Sequence, residues 1–284
     1  RRARLLRDEL KRPDDAVDDW RALLEWQGDD RESLEALSGI YERAEDWPAW
    51  VDVVGARLTS GTDAPHALRV QLADVLGSHL EERELACVEL EKVLAEQDVE
   101  ASLLESLADV ALNNDFAELG VGALERAAGA LESDEEKRRL YLRAIGVYRD
   151  VLGRPLDAQA AWEALAECSG GDQSSYTALC EIYRAKELFR ELVELHEKML
   201  PSLEAQERGP ALREIVDVQR AELDNPDMAF VTACRLYREK PNDVEVSDIL
   251  EALATELGCL DEIVALIEDQ VDGIHDSRVR LCIL

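Results

Sequence analysis

A short segment recurs four times along this chain at nearly constant spacing, and no other feature restricts the fold so strongly. Leu10-Lys-Arg-Pro13-Asp-Asp-Ala16 lines up with Leu80-Glu-Glu-Arg83-Glu-Leu-Ala86, Leu152-Gly-Arg-Pro155-Leu-Asp-Ala158 and Leu223-Asp-Asn-Pro226-Asp-Met-Ala229. The anchoring alanines lie 70, 72 and 71 residues apart. Four residues on come Trp20, Leu90, Trp162 and Ala233, and three further come Leu23, Val93, Leu165 and Leu236. The register persists through Leu37, Leu107, Leu179 and Leu250, then Ile40, Val110, Ile182 and Leu253. It continues in Trp47, Phe116, Phe189 and Leu260, and in Trp50, Leu119, Leu192 and Ile263. A fixed period of this length marks a repeat architecture, in which each unit buries its apolar face against the next.

Within a copy the apolar residues fall three, four and seven apart, the spacing of an amphipathic helix. Strand signals are nearly lacking, with five Thr in the chain and no hairpin dipeptide between alternating runs. Pro13, Pro155 and Pro226 stand where a first helical turn tolerates a missing N–H. Gly28-Asp29-Asp30, Gly170-Gly171-Asp172 and Pro241-Asn242-Asp243 break the middle of a copy and offer an Asp cap to the next helix. Each copy is therefore expected to hold two helical hairpins, or about sixteen to seventeen helices over the chain. The expected fold is all-α: a right-handed α-solenoid of stacked antiparallel helix pairs, one continuous array over 1–284. Its copies fall near 10–79, 80–151, 152–222 and 223–284. The recurring Ala has a physical reason, because only a small side chain lets the two helices of a pair approach closely.

The small residue, the bulky residue four later and the apolar residue three after that together resemble the second helix of a tetratricopeptide repeat. Leu34, Leu37, Ser38, Tyr41 and Trp47 are similar to that family's first-helix pattern, and Tyr176, Leu179, Cys180, Ile182 and Tyr183 repeat it. Pro241-Asn242-Asp243 resembles its repeat-ending turn. Trp50, Leu119 and Leu192 depart from the pattern, standing where the family usually has Ala. The resemblance covers essentially the whole chain and implies a scaffold for protein–protein interaction, not an enzyme. Long acidic arrays of this kind from GC-rich bacteria are similar, and 26 Arg against 6 Lys fits such a coding genome.

Charge narrows the partners. The chain carries 63 acidic and 32 basic residues, a formal net charge of −31, and each of the four copies is net negative. Nucleic-acid binding depends on neutralising phosphates with Lys and Arg, so so acidic a chain is not expected to bind nucleic acid. No apolar stretch approaches the roughly 18 residues that span a bilayer, so no membrane insertion is expected. Six cysteines without CxxC spacing read as free, buried or half-buried thiols, and suggest a reducing, cytoplasmic location.

No chemistry-bearing motif stands out, and no cofactor or metal is expected. His196-Glu197 opens like a zinc-peptidase helix, but residue 200 is Leu, so His196 reads as a helix-surface histidine. Gly120-Val-Gly122 lacks the preceding strand and the third Gly of a dinucleotide loop. Trp20, Trp47, Trp50 and Trp162 occupy register positions that are apolar elsewhere and are expected in the core. Trp26 differs: its equivalents are Glu96, Cys168 and Glu239, so it is either packed locally or a partner contact, where Trp is enriched.

In tetratricopeptide arrays the first helix of each pair lines the concave groove. The resemblance thus places Glu32, Glu35, Glu105, Asp109, Glu181, Glu245 and Asp248 along it. Candidate partner-binding residues are Trp26, Glu35, Glu105, Asp109, Glu181 and Asp248, and the expected partner is a basic protein or peptide. Arg43, Arg143 and Arg184 are too scattered for the carboxylate clamp found in some family members. Two other readings stay open: a self-associating structural subunit, and the regulatory arm of an enzyme whose catalytic domain lies elsewhere.

Overall fold

A computed structural model describes residues 16–28, 30–168, 173–241 and 243–272, with the backbone alone for 269–272. The described residues contain fifteen α-helices, one 3-10 turn and no strand. The chain divides into two compact units, residues 1–169 and 170–284. The first contains α1 (Val17–Gln27), α2 (Arg31–Ala44), α3 (Trp47–Ser60), α4 (Pro65–Ser78) and α5 (Arg83–Ala95). It continues with α6 (Ala101–Asn113), α7 (Ala117–Ala130), α8 (Asp134–Asp150), the 3-10 turn Pro155–Ala158 and α9 (Gln159–Cys168). The second contains α10 (Gln173–Ala185), α11 (Phe189–Met199), α12 (Ala205–Ala221), α13 (Pro226–Glu239), α14 (Val244–Leu257) and α15 (Leu260–Asp272).

Local chemistry sets where these helices begin. Asp30, Asp46, Ser133, Asn225 and Asp243 each accept a hydrogen bond from a backbone N–H of the first turn. That satisfies a donor with no partner inside the helix. Pro226 opens α13, and Pro155 opens the 3-10 turn that leads into α9. Pro13, Asp29, Asn242 and the Gly170-Gly171-Asp172 break lie outside the described residues.

The ends follow the repeat as well. Glu45, Asp115, Glu187 and Gly258, spaced 70, 72 and 71 residues apart, all take a left-handed conformation with φ of 55°, 66°, 58° and 71°. After each, the next amide donates back across the turn: Asp46 to Tyr41, Phe116 to Ala111, Leu188 to Tyr183 and Cys259 to Ala254. A second series, Glu81, Gly153 and Asp224, does the same one hairpin later, with Glu82, Arg154 and Asn225 donating to Leu76, Tyr148 and Gln219. These are Schellman-type closures, which fold one helix back on the next and satisfy its last carbonyls.

In each unit every helix packs on its chain neighbour, and in the first unit α4 also meets α6 and α5 meets α7. Ala16, Ala86, Ala158 and Ala229 are all at most 1% exposed, as close helix approach demands. Gly120 serves a similar approach, since a Cβ there would sit 2.7 Å from the Leu112 side chain of α6. Leu37, Leu107, Leu179 and Leu250 are all buried. In the first unit Trp20, Trp50, Leu90, Leu104 and Leu124 join one apolar core. The helix pairs and their turns form a TPR-like, all-α array.

Two aromatic expectations are modified. Trp47 and Trp162 are only half-buried; Trp47 stacks on His79 with ring centroids 4.3 Å apart. Trp26 does not pack locally. It stands one residue before the end of α1, at 79% exposure.

Candidate functional site

The second unit has a cleft of about 300 Å3 between α10 and α12, the first helices of two successive pairs. From α10 it is lined by Tyr176, Cys180, Glu181 and Arg184, and from α12 by Glu207 and Glu214. His196 of α11 lies at its floor.

His196 is 2% exposed, so the surface placement expected from the sequence is overturned. Its register equivalents explain why: the neighbouring Leu192 matches Trp50, Leu119 and Ile263, which puts His196 in line with Val54, Ala123 and Ile267. The inward face of the helix takes whatever residue stands there. An imidazole buried in this way needs partners. Tyr176 supplies one, its hydroxyl lying 2.6 Å from Nδ1. Nε2 lies 3.0 Å from Oε2 of Glu214 but off the line of a hydrogen bond. That same oxygen accepts from Nη2 of Arg184 at 2.8 Å.

The electrostatics follow from this placement. Burial, reinforced by Arg184, lowers the His196 pKa below its ordinary value although Glu214 pulls the other way, so the ring is neutral at pH 7. The Arg184 guanidinium holds the Glu214 carboxyl below the usual carboxylate range. Burial pushes the Tyr176 hydroxyl up, and pushes the Cys180 thiol up to about 11. Cys180 is thus a protonated thiol and a poor nucleophile. The described residues contain no group of three or more His, Cys, Asp or Glu able to hold a metal ion. No helix among them is long and apolar enough to cross a membrane.

The acidic positions expected along the groove are divided between the two units. Glu181 lines the cleft of the second unit, and Asp248 is exposed on α14 of the same unit. Glu35, Glu105 and Asp109 belong to the first unit, and each faces an arginine of its own chain. Glu35 accepts from Arg31 at 3.1 Å, Glu105 is held by two bonds from Arg139, and Asp109 pairs with Arg143. Arg31 also pairs with Asp63, which lies 32 residues away. Related pairs cross other helix–helix seams, among them Arg83–Asp115, Arg208–Glu239, Arg213–Glu245 and Arg220–Glu256. These separations match the length of one helix pair, so the arginines tie neighbouring pairs together. Sequence reasoning missed Tyr176, His196, Glu207 and Glu214 as members of one site. The available signal was a histidine at a position that is apolar in the other three copies.

No protein-family model matches the chain, and neither does any protein of curated function. Solved structures similar to it include YrrB, a TPR protein with an unusual peptide-binding site. It shows 18% identity and a TM-score of 0.33, over 72% of this chain and 94% of that one. The C-terminal part of a TPR repeat-containing protein from Cytophaga hutchinsonii shows 11% identity and a TM-score of 0.37, over 83% and 93%. A tetratricopeptide repeat protein from Parabacteroides merdae shows 10% identity and a TM-score of 0.34, over 89% and 96%. At such low TM-scores, the TPR-like reading rests on the chain's own helix pairs, repeated turns and buried alanines.

Proposed function

We propose that this chain is a non-catalytic scaffold that binds a basic protein or peptide segment, with the α10/α12 cleft as its seat. The observation that carries this reading is the cleft itself: an open concavity of about 300 Å3 lined by Glu181, Glu207 and Glu214 against one arginine. Charge complementarity selects cationic partners and speeds their encounter. Trp26, exposed at 79%, is a second contact point, and Glu35, Glu105, Asp109 and Asp248 add further negative charge for a cationic partner. We take the copies 10–79, 80–151, 152–222 and 223–284 as one array. The free thiols of Cys87, Cys168, Cys180, Cys234 and Cys259 support a cytoplasmic setting.

Self-association is a second reading, favoured by α15, where exposed Leu260 and Val264 border an apolar hollow with Tyr237, Leu250 and Ile263. Titration calorimetry with an arginine-rich peptide and an acidic one of the same length tests the first reading. The basic peptide binds, and Glu181→Gln with Glu207→Gln weakens it about tenfold. Equal binding of both peptides overturns the reading. Sedimentation of the chain alone shows a single species, whereas growth in mass with concentration would favour self-association.

A further inference from the structure

A scaffold has no packing need for a histidine beneath its binding cleft. Val54 and Ala123 fill the equivalent place in the first unit without any polar atom to satisfy, and both are fully buried. Burying an imidazole costs free energy that only hydrogen bonds offset. At His196 one of the two ring nitrogens still has no aligned partner.

The groups around the ring come from three helices. Tyr176, Cys180 and Arg184 face it from α10, Glu214 faces it from α12, and Glu197 lies beside it on α11. Glu197 is in turn held by Arg235 of α13 at 2.6 Å. In the favourable tautomer Nδ1 accepts from the Tyr176 hydroxyl and Nε2 carries the proton toward the Glu214 carboxylate. The other tautomer would set a nitrogen lone pair against Oε2 at 3.0 Å. A second proton enters at Nδ1, and Tyr176 then turns from donor to acceptor. The imidazolium competes with Arg184 for the single oxygen that both reach. One positive charge is added beneath the cleft, and the guanidinium is loosened toward it.

We propose that His196 couples occupancy of the cleft to the proton. With the ring neutral the acidic cleft holds a cationic segment, and with the ring charged it releases that segment. This inference rests on the cleft being the seat of a basic partner. By linkage, a bound cationic segment makes the ring harder to protonate, and protonation weakens the segment to the same degree.

The folded pKa of His196 lies below the unfolded one. Its protonation therefore costs the second unit no stability above about pH 6.5, and a growing amount as the pH falls from there toward the lowered value. Loss of the Glu214 contribution belongs to a separate, lower window, because its folded pKa is also depressed, from 4.5.

The test uses the whole chain, an alternating Arg-Ala peptide as probe, and His196→Gln, whose amide can accept from Tyr176 and donate to Glu214. Calorimetry from about pH 7.5 to about pH 5.5 is expected to show progressively weaker binding for the parent, by up to about threefold because the depressed pKa limits how much of the ring charges over that range, and a flat profile for H196Q. The His196 ring-proton resonance, followed by NMR with and without probe, is expected to titrate at lower pH when probe is bound. Parallel pH profiles for parent and variant overturn the coupling, as does a His196 titration that the probe leaves unmoved. Absence of probe binding at the higher pH overturns the basic-partner reading, and the coupling with it.

Discussion

The seam between α6 and α8 in the first unit and the seam between α10 and α12 in the second join equivalent helices but are closed by different chemistry. In the first, Arg139 and Arg143 of the later helix reach Glu105 and Asp109 of the earlier one. In the second, the arginine stands on the earlier helix, at Arg184, and the acid on the later, at Glu214. Position by position, Glu105 and Asp109 correspond to Thr177 and Glu181, and Arg139 and Arg143 to Pro210 and Glu214. Replacing two arginines with a proline and a glutamate removes the exposed ladder, and a cleft opens where it would have run. Below, Ala123 gives way to His196 and Leu104 to Tyr176, so a dry core position becomes a polar pair. One backbone plan thus accommodates a seam bridged by two arginines of the later helix and one with a titratable ring at the floor of a cleft.

The comparison breaks most readily by moving the histidine. Ala123→His places an imidazole among apolar neighbours, with Leu104 where Tyr176 would be. It is expected to destabilise the first unit by about 3 kcal/mol through overpacking and an unsatisfied buried ring. Urea unfolding measures the loss, and a change under about 1 kcal/mol would show that the first seam also tolerates a polar floor. Next in size is Tyr176→Phe, which removes the partner of Nδ1. It should cost the second unit about 1–2 kcal/mol, read as a lower melting temperature at pH 7. No cost would mean that the ring draws its support from Glu214 alone. The smallest effect concerns what the two units share. Glu45→Gly and Glu187→Gly relieve a left-handed residue of its Cβ, and each should stabilise by about 0.5–1 kcal/mol in thermal unfolding. Unequal gains would mean that the turns differ between units despite matching φ values.

Much of this plan was legible in the sequence because it rests on steric demands that act at every copy. Ala16, Ala86, Ala158 and Ala229 had to be small, and Leu37, Leu107, Leu179 and Leu250 had to be apolar, so their recurrence exposed the helix pairs. The left-handed turns were hidden, because Glu45, Asp115 and Glu187 occupy a conformation that glycine would advertise. The cleft was hidden for another reason. Its members are scattered from Tyr176 to Glu214, and only packing reveals that a carboxylate, a phenol and an imidazole meet. The internal ion pairs were hidden as well, because a count of acids does not show which of them an arginine of the same chain already holds, as with Glu105 and Asp109.

The arginine ties have a further consequence, for how the chain folds. The bonds across helix seams described above join residues at most 38 apart in sequence, so no contact among them waits for distant parts of the chain to meet. Contacts of such short range close small loops at low entropic cost and favour fast folding. Structure can nucleate at any helix pair within a unit and spread to its neighbours, as in other one-dimensional stacks. A lesion in one seam then remains largely a local event.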